Sequence, residues 1–181
     1  MNFHKKLIAW AAITVVAFSL SACAMGSGLT IPEREVPISL DSALEAQDMG
    51  MMGLLMGSVE WTEGQFSSLL TELIAQNAGE GNPIESVTAW FEPEQMYLRI
   101  ALADGVLPEG YGNSVEVAGT IDLEGEIIVV NLTQAAAAGY VVSGDVLGPI
   151  NEQINMALAD FPLGLGGTVA MDTGTLSITL E

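Results

Sequence analysis

The chain has very few side chains that carry positive charge or act as catalytic bases. Its 181 residues contain four Lys and Arg, one His and one Cys against 23 Asp and Glu, a formal net charge of −19. His4, Lys5 and Lys6 all lie within the first six residues, so Arg34 and Arg99 are the only cations in the rest of the sequence. Beyond residue 6 the chain therefore has neither lysine nor histidine.

These shortages exclude several classes of function. Activated Ser and Cys nucleophiles, Schiff-base lysines and soft metal sites need His, Lys or Cys side chains, and the chain has none of these after residue 23. An acidic surface also repels the phosphates of nucleic acids, so we expect no nucleic acid partner. We predict a protein that is not an enzyme and uses no cofactor, with a hydrolase based only on carboxylates as a minor alternative.

The first 22 residues have the layout of a secretory signal: a short basic start, an apolar run over residues 7–20, and two small residues. The apolar run is too short for a comfortable membrane span. The stretch Leu20-Ser-Ala-Cys23 resembles the lipobox of bacterial lipoproteins, in which the cysteine is acylated and becomes the first mature residue. The resemblance implies that residues 1–22 are a lipoprotein signal peptide and that Cys23 is the lipidation site.

The predicted lipid anchor sets the expected location of the protein. Removal of residues 1–22 leaves two cations against 23 acids, a formal charge of −21. Charge cannot hold so acidic a chain on an anionic membrane, and one acyl chain binds a membrane only marginally. We therefore expect a multiply acylated Cys23 to anchor the protein to a membrane of the cell envelope, outside the cytoplasm. The choice between the inner and the outer membrane stays open, as does any protein partner.

Residues 23–40 contain Gly, Ser and Pro without a period, which predicts a flexible tether after the acylated cysteine. Residues 41–181 are long enough for one domain. Within it, residues 41–47 suggest a short helical turn. The following run, residues 49–56, has four methionines among glycines and is interpreted as a core or groove-lining segment, with a copper(I) site as a minor alternative.

Two amphipathic helices are predicted. Thr62 and Gln65 have the spacing of a capping box that opens a helix ending near Asn77. A second helix opens at Asp145 or at Gly148-Pro149, since proline suits a first helical turn. Their apolar stripes are Phe66, Leu69, Leu70, Leu73 and Ile74 in the first helix, and Ile150, Ile154, Ala157 and Leu158 in the second.

The remaining sequence predicts strands joined by short turns, and a further short strand at residues 58–61. The six longer strands are rich in Val, Ile, Thr and aromatic residues, and apolar and polar residues alternate in residues 95–102 and 175–180. The short links suit hairpins, so the expected fold class is α+β: a curved, mainly antiparallel sheet of about six strands packed on two amphipathic helices. The six predicted strands cover residues 84–91, 95–103, 114–123, 126–133, 168–171 and 174–180.

Three polar or small-residue features admit two interpretations each. Arg99 on the polar side of a strand is expected to pair with a neighbouring acid, with an anionic headgroup as the alternative. Residues 135–138 are four alanines, which indicates that a helix packs closely there or that the patch is the floor of a ligand groove. The acids of residues 122–126 are interpreted as a solvated hairpin tip, with calcium as a minor alternative.

The order of these elements is similar to that of the LmeA-like members of the tubular lipid-binding (TULIP) superfamily. The similarity lies in Thr62-Glu-Gly-Gln-Phe-Ser-Ser-Leu-Leu70, in Gly-Pro-Ile before the second helix, and in the closing hairpin Ala170-Met-Asp-Thr-Gly-Thr-Leu-Ser-Ile178. It implies a curved sheet around a long helix, with an apolar groove for acyl chains. The near absence of cations is a departure that bears on the recognition of anionic lipid heads.

Our leading hypothesis from the sequence is a membrane-anchored extracytoplasmic lipoprotein that binds or transfers a hydrophobic or lipid ligand. The alternative is a structural or protein-interaction lipoprotein of the envelope, with a solid core and no ligand. Under the leading hypothesis, the ligand is bound between the sheet and the helices by Phe66, Leu69, Leu73, Met96, Leu98 and Ile100.

Overall fold

The computed structural model describes residues 29–77, 82–107, 109–141, 144–163 and 166–181. Within these ranges the chain forms three helices and two antiparallel sheets, which confirms the mixed α+β class. The predicted signal peptide and Cys23 lie outside the described residues. The helices are α1 (Leu40–Met56), α2 (Glu63–Asn77) and α3 (Gly144–Ala159), and the strands are β1 (Ser58–Thr62), β2 (Ile84–Glu92), β3 (Gln95–Leu102), β4 (Ser114–Glu124), β5 (Ile127–Ala137), β6 (Tyr140–Val141), β7 (Gly167–Asp172) and β8 (Thr175–Leu180).

The predicted strands are all present, but they belong to two sheets and not to one. The larger sheet has the order β2-β3-β4-β5-β6, and the smaller has the order β1-β8-β7. The hairpin turns fall where they were predicted, with Glu94, Gly125 and Gly174 in the left-handed region. The closing hairpin pairs with β1, from Ser58 opposite Thr179 to Thr62 opposite Thr175, and so does not join the larger sheet.

One edge of the larger sheet is capped by side chains of α2. Glu63, Ser67 and Thr71 accept hydrogen bonds from the backbone N–H groups of Phe91, Ala89 and Val87, at 2.9, 2.8 and 3.0 Å respectively. The acceptors are four residues apart on the helix and the donors two residues apart on the strand. These distances match, because four helical residues advance about 6 Å and two strand residues about 6.6 Å. The N–H groups of the edge strand β2 are thereby satisfied without another strand.

Helix α3 caps β5 in the same way. The Asn155 side chain accepts from the N–H of Val130 at 2.8 Å and donates to its carbonyl at 2.9 Å, and Asn151 accepts from the N–H of Leu132 at 3.1 Å. An asparagine amide therefore replaces a neighbouring strand. With α2 on β2 and α3 with β6 on β5, the closing hairpin has no free edge of the larger sheet to join, which explains the second sheet.

The beginnings of α2 and α3 can be compared with the predictions. The capping box is confirmed, because the N–H of Gln65 donates to Thr62 Oγ1 at 3.3 Å and the N–H of Thr62 donates to Gln65 Oε1 at 3.0 Å. Of the two predicted starts of α3, Gly148-Pro149 is wrong, since the helix already contains the proline, whereas Asp145 lies one residue after the observed start at Gly144. Its apolar stripe is buried as predicted.

The segment over residues 41–56 was expected to divide into a short turn and an apolar run, and it is instead one 17-residue helix, α1. Ser39 caps its beginning, where the side chain accepts from the N–H of Ser42 at 3.1 Å, and Gly57 ends it in the left-handed conformation. Gly50 and Gly53, within this helix, are weak helix formers. Packing outweighs propensity here, because both glycines face neighbouring elements closely.

The chain before α1 also differs from the prediction. Residues 29–39, which we call the strap, lie along the domain, although the flexible tether was predicted to reach residue 40. The backbone carbonyl of Arg34 accepts from Trp90 Nε1 at 2.9 Å, and the N–H of Ser39 donates to Ser68 Oγ at 3.1 Å. These contacts fix the strap to β2 and α2, so it is part of the domain.

Candidate functional site

The six predicted ligand-binding residues do come together, in the packed core between the larger sheet and α2. Phe66 contacts a cluster of aromatic rings, with its ring centroid 5.4 Å from that of Phe91 and 6.3 Å from that of Trp61. Among the described residues, no buried polar side-chain atom lacks a hydrogen-bond partner. All six side chains are at most 5% exposed: Phe66, Leu69, Leu73, Met96, Leu98 and Ile100.

Two cavities lie at the surface of the described chain, and none of the six residues lines either of them. One is a cleft of about 920 Å³ under the strap, above Trp90 and Arg99. The other is a hollow of about 620 Å³ between α2 and α3, lined in part by Ile74, Met156 and Ala157. Any ligand that used the predicted six residues has to displace core side chains first.

Arg99 lies under the strap and pairs with an acid, as expected. Its Nη2 atom is 3.1 Å from Glu116 Oε1, and its guanidinium carbon lies 5.4 Å from the centre of the Trp90 ring. The pair is partly exposed and therefore contributes little to stability. The contact with Glu116 confirms the pairing interpretation of this residue.

Arg34, the other cation, holds the strap to the domain. Its Nη2 atom is 2.6 Å from Glu63 Oε1 and 3.1 Å from the carbonyl oxygen of Phe91, and its Nη1 atom is 2.7 Å from Glu92 Oε1. We call Arg34, Glu63 and Glu92 the strap clamp. It joins the strap to the first residue of α2 and the last residue of β2.

The strap clamp also shifts the pKa values of Arg34 and Glu92. The hydrogen bond that Arg34 donates to Glu63, and next in size the one that it donates to Glu92, raise the pKa of Arg34 above its ordinary value. The Glu92 carboxylate accepts hydrogen bonds from Arg34 and from Thr173. Both hold its pKa below the ordinary value of 4.5, and the bond from Arg34 has the larger effect. Both shifts favour the charged forms, as expected for opposite charges in contact.

Sequence reasoning missed the strap clamp, although a signal was present. Arg34 is one of only two cations beyond residue 6, and it lies between Pro32 and Pro37 in a segment with no predicted structure. A rare cation in a strongly acidic chain is expected to have acidic partners. The identity of those partners depends on the fold, because Glu63 and Glu92 are 29 and 58 residues away in sequence.

Helix α1 has an unusual distribution of side chains. Small residues are buried on its inward side, where Ala43 and Ala46 are 1% and 0% exposed and two buried glycines follow them. A Cβ atom at Gly50 would lie 2.6 Å from the Phe161 ring, and one at Gly53 would lie 2.9 Å from Val59. Six large apolar residues face outward and are exposed by half or more: Leu40, Leu44, Met51, Met52, Leu55 and Met56.

Four of the exposed residues lie on one side of the helix. Leu40, Leu44, Met51 and Leu55 are separated by four, seven and four residues, so they lie along one side of the helix. Leu55 is 86% exposed, the highest value among the large apolar residues of the described chain. We call this side of α1 the apolar face. Contiguous exposed apolar surface on a soluble domain typically marks an interaction site.

Hydrogen bonds from β1 and α2 hold α1 in this orientation. Trp61 Nε1 donates to the carbonyl of Ala46 at 2.9 Å in a buried contact, and Gln65 Nε2 donates to Met49 Sδ at 3.3 Å. Small residues on α1 allow this close approach to β1 and α2. The helix is therefore held with its apolar face outward. Residues 49–56 were interpreted as a core or groove-lining segment. Gly50 and Gly53 are buried and Met49 is half-buried, whereas Met51, Met52 and Met56 are exposed.

The described residues contain no group of three or more His, Cys, Asp or Glu side chains placed to hold a metal ion. No helix within the described ranges has both the length and the apolar character required to cross a membrane. No protein-family model matches the sequence, and a search of curated proteins finds no significant match. The lipobox and TULIP resemblances therefore stay predictions.

Proposed function

We propose that this chain is an extracytoplasmic lipoprotein, anchored through acylated Cys23, that binds a hydrophobic partner on the apolar face of α1 and performs no catalysis. The observation that supports this function is the distribution of side chains on α1, where alanines and glycines face the domain and six Leu and Met side chains are exposed by half or more. Exposing them costs free energy that a partner recovers when it covers them.

The packed core favours binding on the surface over binding inside. A fully buried Leu, Met or Phe side chain contributes about 1.5–3 kcal/mol through its transfer from water. Displacing even two of the six predicted residues therefore costs about 3–6 kcal/mol, a large share of the roughly 5–15 kcal/mol that stabilises a typical domain. We place the protein-interaction function ahead of a lipid carrier for this reason.

The strap determines how far the domain can lie from its anchor. Six residue steps separate Cys23 from Leu29, where the described chain begins. Fully extended, they span at most about 20 Å. Since the strap clamp fixes the following residues to the domain, an acylated Cys23 keeps the domain close to the membrane surface.

The anchor and the apolar face are tested separately in cells that process the chain. Cys23→Ser is expected to abolish the incorporation of labelled palmitate and the removal of residues 1–22, since both depend on the cysteine; a wild type that incorporates no palmitate would refute the anchor. A photoreactive amino acid at Met51 is expected to cross-link to one stoichiometric partner. The same group at Glu85, an exposed position on β2, is the matched control. Equal cross-linking from both positions, or none from Met51, would refute binding at α1.

A second candidate function is the binding of an acyl chain in the hollow between α2 and α3. It is supported by the volume of about 620 Å³ and by Met156, which is 57% exposed beside the buried Ala157. That volume is typical of small-molecule sites. Uptake of a fluorescent fatty acid by the Cys23→Ser chain, and its loss in Met156→Glu, is the expected result. A wild-type protein that takes up none in this assay and is empty in native mass spectrometry excludes this candidate.

A further inference from the structure

The apolar face of α1 has an acidic edge along one flank. Asp41, Glu45 and Asp48 are exposed, and their spacing of four and three residues places them on one side of the helix. Two of them directly follow Leu40 and Leu44, so the charges run beside the apolar stripe along the first half of the helix. No Lys or Arg occurs between Leu40 and Met56 to neutralise this edge.

We propose that the apolar face binds an amphipathic helix of another protein, in which Lys or Arg side chains flank the apolar stripe. This inference rests on the proposed function, since it specifies the partner of the same surface. Helix α1 has 17 residues and is therefore about 25 Å long, and the stripe runs nearly its full length, from Leu40 to Leu55. A helix packed along it buries both stripes and places its cations against the acidic edge.

A second copy of this chain does not provide the required charges. Beyond residue 6 the chain has two cations, and both form ion pairs within the domain: Arg34 with Glu63 and Glu92, and Arg99 with Glu116. A second α1 brings another acidic edge and no cation. Self-association through this face therefore buries apolar surface without charge complementarity.

A lipid surface is also a poor match for this edge. Helices that lie in the membrane interface typically have Lys or Arg on their polar side, which attract anionic headgroups. Helix α1 has Asp41, Glu45 and Asp48 at that position instead. A helix with apolar and cationic side chains satisfies both parts of the surface, whereas an anionic membrane satisfies only the apolar part.

The test uses the full chain in phosphatidylcholine nanodiscs, with empty nanodiscs as the baseline, and two labelled synthetic helical peptides. The first peptide has a Leu stripe flanked by Lys, and the second is identical except that Glu replaces each Lys. Fluorescence anisotropy gives the two dissociation constants. We expect the Lys peptide to bind about tenfold more tightly, because three exposed ion pairs each contribute a small factor. High salt is expected to reduce the preference.

Three variants separate the apolar and charged parts of the site. Leu44→Gln with Met51→Gln is expected to weaken both peptides about tenfold. Asp41→Asn, Glu45→Gln and Asp48→Asn together are expected to abolish the preference and leave the weaker apolar binding. The matched control changes three exposed acids outside α1 by the same total charge and is expected to keep the preference: Glu85→Gln, Glu109→Gln and Glu124→Gln.

Each outcome either supports or overturns the proposal. Equal affinity for the two peptides, or an equal loss of preference in the control variant, overturns the cationic partner while the Met51 cross-link can still support binding at α1. A dimer that dissociates in Leu44→Gln with Met51→Gln assigns the face to a second copy. Binding of the Cys23→Ser chain to phosphatidylcholine vesicles, lost in the same double variant, assigns it to a lipid surface.

Discussion

Helices α1 and α2 lie side by side, but α2 buries large side chains and α1 buries small ones. Helix α2 buries its large apolar residues, such as Phe66 and Leu70, and adds side-chain hydrogen bonds to the edge of β2. Helix α1 buries alanines and glycines and leaves six of its Leu and Met side chains exposed by half or more. The core therefore depends on α2, whereas α1 presents a surface that the domain does not itself cover.

The difference shows that an apolar stripe in a sequence does not by itself identify the buried face of a helix. In α2 the largest apolar residues are the buried ones, as binary patterning predicts. In α1 the close approach to β1 at Gly53 and to Phe161 at Gly50 leaves no room for large side chains. Close packing between helices and their neighbours is achieved there with small residues, and the large ones become available to a partner.

The largest expected effect contrasts the two helices directly. Phe66→Ala in α2 removes a fully buried ring from the aromatic cluster and is expected to lower the free energy of unfolding by about 4 kcal/mol. Leu55→Ala in α1 removes an 86% exposed side chain and is expected to change it by less than about 0.5 kcal/mol. Urea unfolding measures both. Similar losses in the two variants would contradict the assignment of the core to α2.

The two cations are expected to contribute differently to stability, because only Arg34 belongs to the strap clamp. Arg34→Ala leaves Glu63, whose side chain is 10% exposed, without its ion-pair partner. Because Arg34 itself is 37% exposed, we expect a loss of about 2 kcal/mol, below that of a fully buried pair. Arg99→Ala is the matched control, with an expected loss of about 0.5 kcal/mol. Thermal or urea unfolding gives the comparison, and equal losses would refute the special role of the clamp.

The small residues of α1 provide a third test. Gly53→Leu places a large side chain where a Cβ atom alone meets Val59 at 2.9 Å and the carbonyl oxygen of Ser58 at 3.2 Å. The free-energy cost of overpacking exceeds the gain from the higher helix propensity of leucine. We therefore expect the free energy of unfolding to fall by about 1.5 kcal/mol. Met52→Leu, on the exposed side of the same helix, is the control and is expected to change stability by less than about 0.5 kcal/mol. A stable Gly53→Leu variant would show that α1 can move away from β1.

The smallest expected effect is a dependence of stability on pH. The lowered pKa of Glu92 means that its ion pair contributes fully above pH 4.5 and that the contribution is lost as the pH falls through the lowered pKa. The difference in unfolding free energy between the wild type and Glu92→Gln is therefore expected to shrink below pH 4.5. Glu85→Gln removes the same charge without an ion pair and corrects for general repulsion. A difference that grows in acid would contradict the sign of the shift.

Much of the fold was predictable because its signals are local. The hairpin turns, the capping box of Thr62 with Gln65 and the burial of Ile154 follow from short patterns and are confirmed. The division into two sheets was not predictable, because it depends on side chains far apart in sequence that occupy the sheet edges, such as Ser67 on β2 and Asn155 on β5. Ser and Asn on a helix are usually interpreted as solvent-facing residues.

The candidate site was only partly visible in the sequence. The run of Met and Leu over residues 49–56 was singled out, but as a core or groove segment. Its spacing with Leu40 and Leu44 marks one helical stripe, which Gly50 and Gly53 concealed because glycine lowers helix propensity. The strap clamp depends on contacts between residues 29 and 58 positions apart, and no local pattern identifies such partners.

By itself, the sequence determined the charge of the protein, the scarcity of His, Lys and Cys side chains, the periods of its strands and helices and the capping box, since each follows from composition or from neighbouring residues. Only the tertiary structure decided which side of α1 is buried and which edges of the larger sheet are closed. The physical reason is packing: a helix with small residues on one side and large apolar residues on the other can bury either, and the space beside Val59 and Phe161 admits only the small ones.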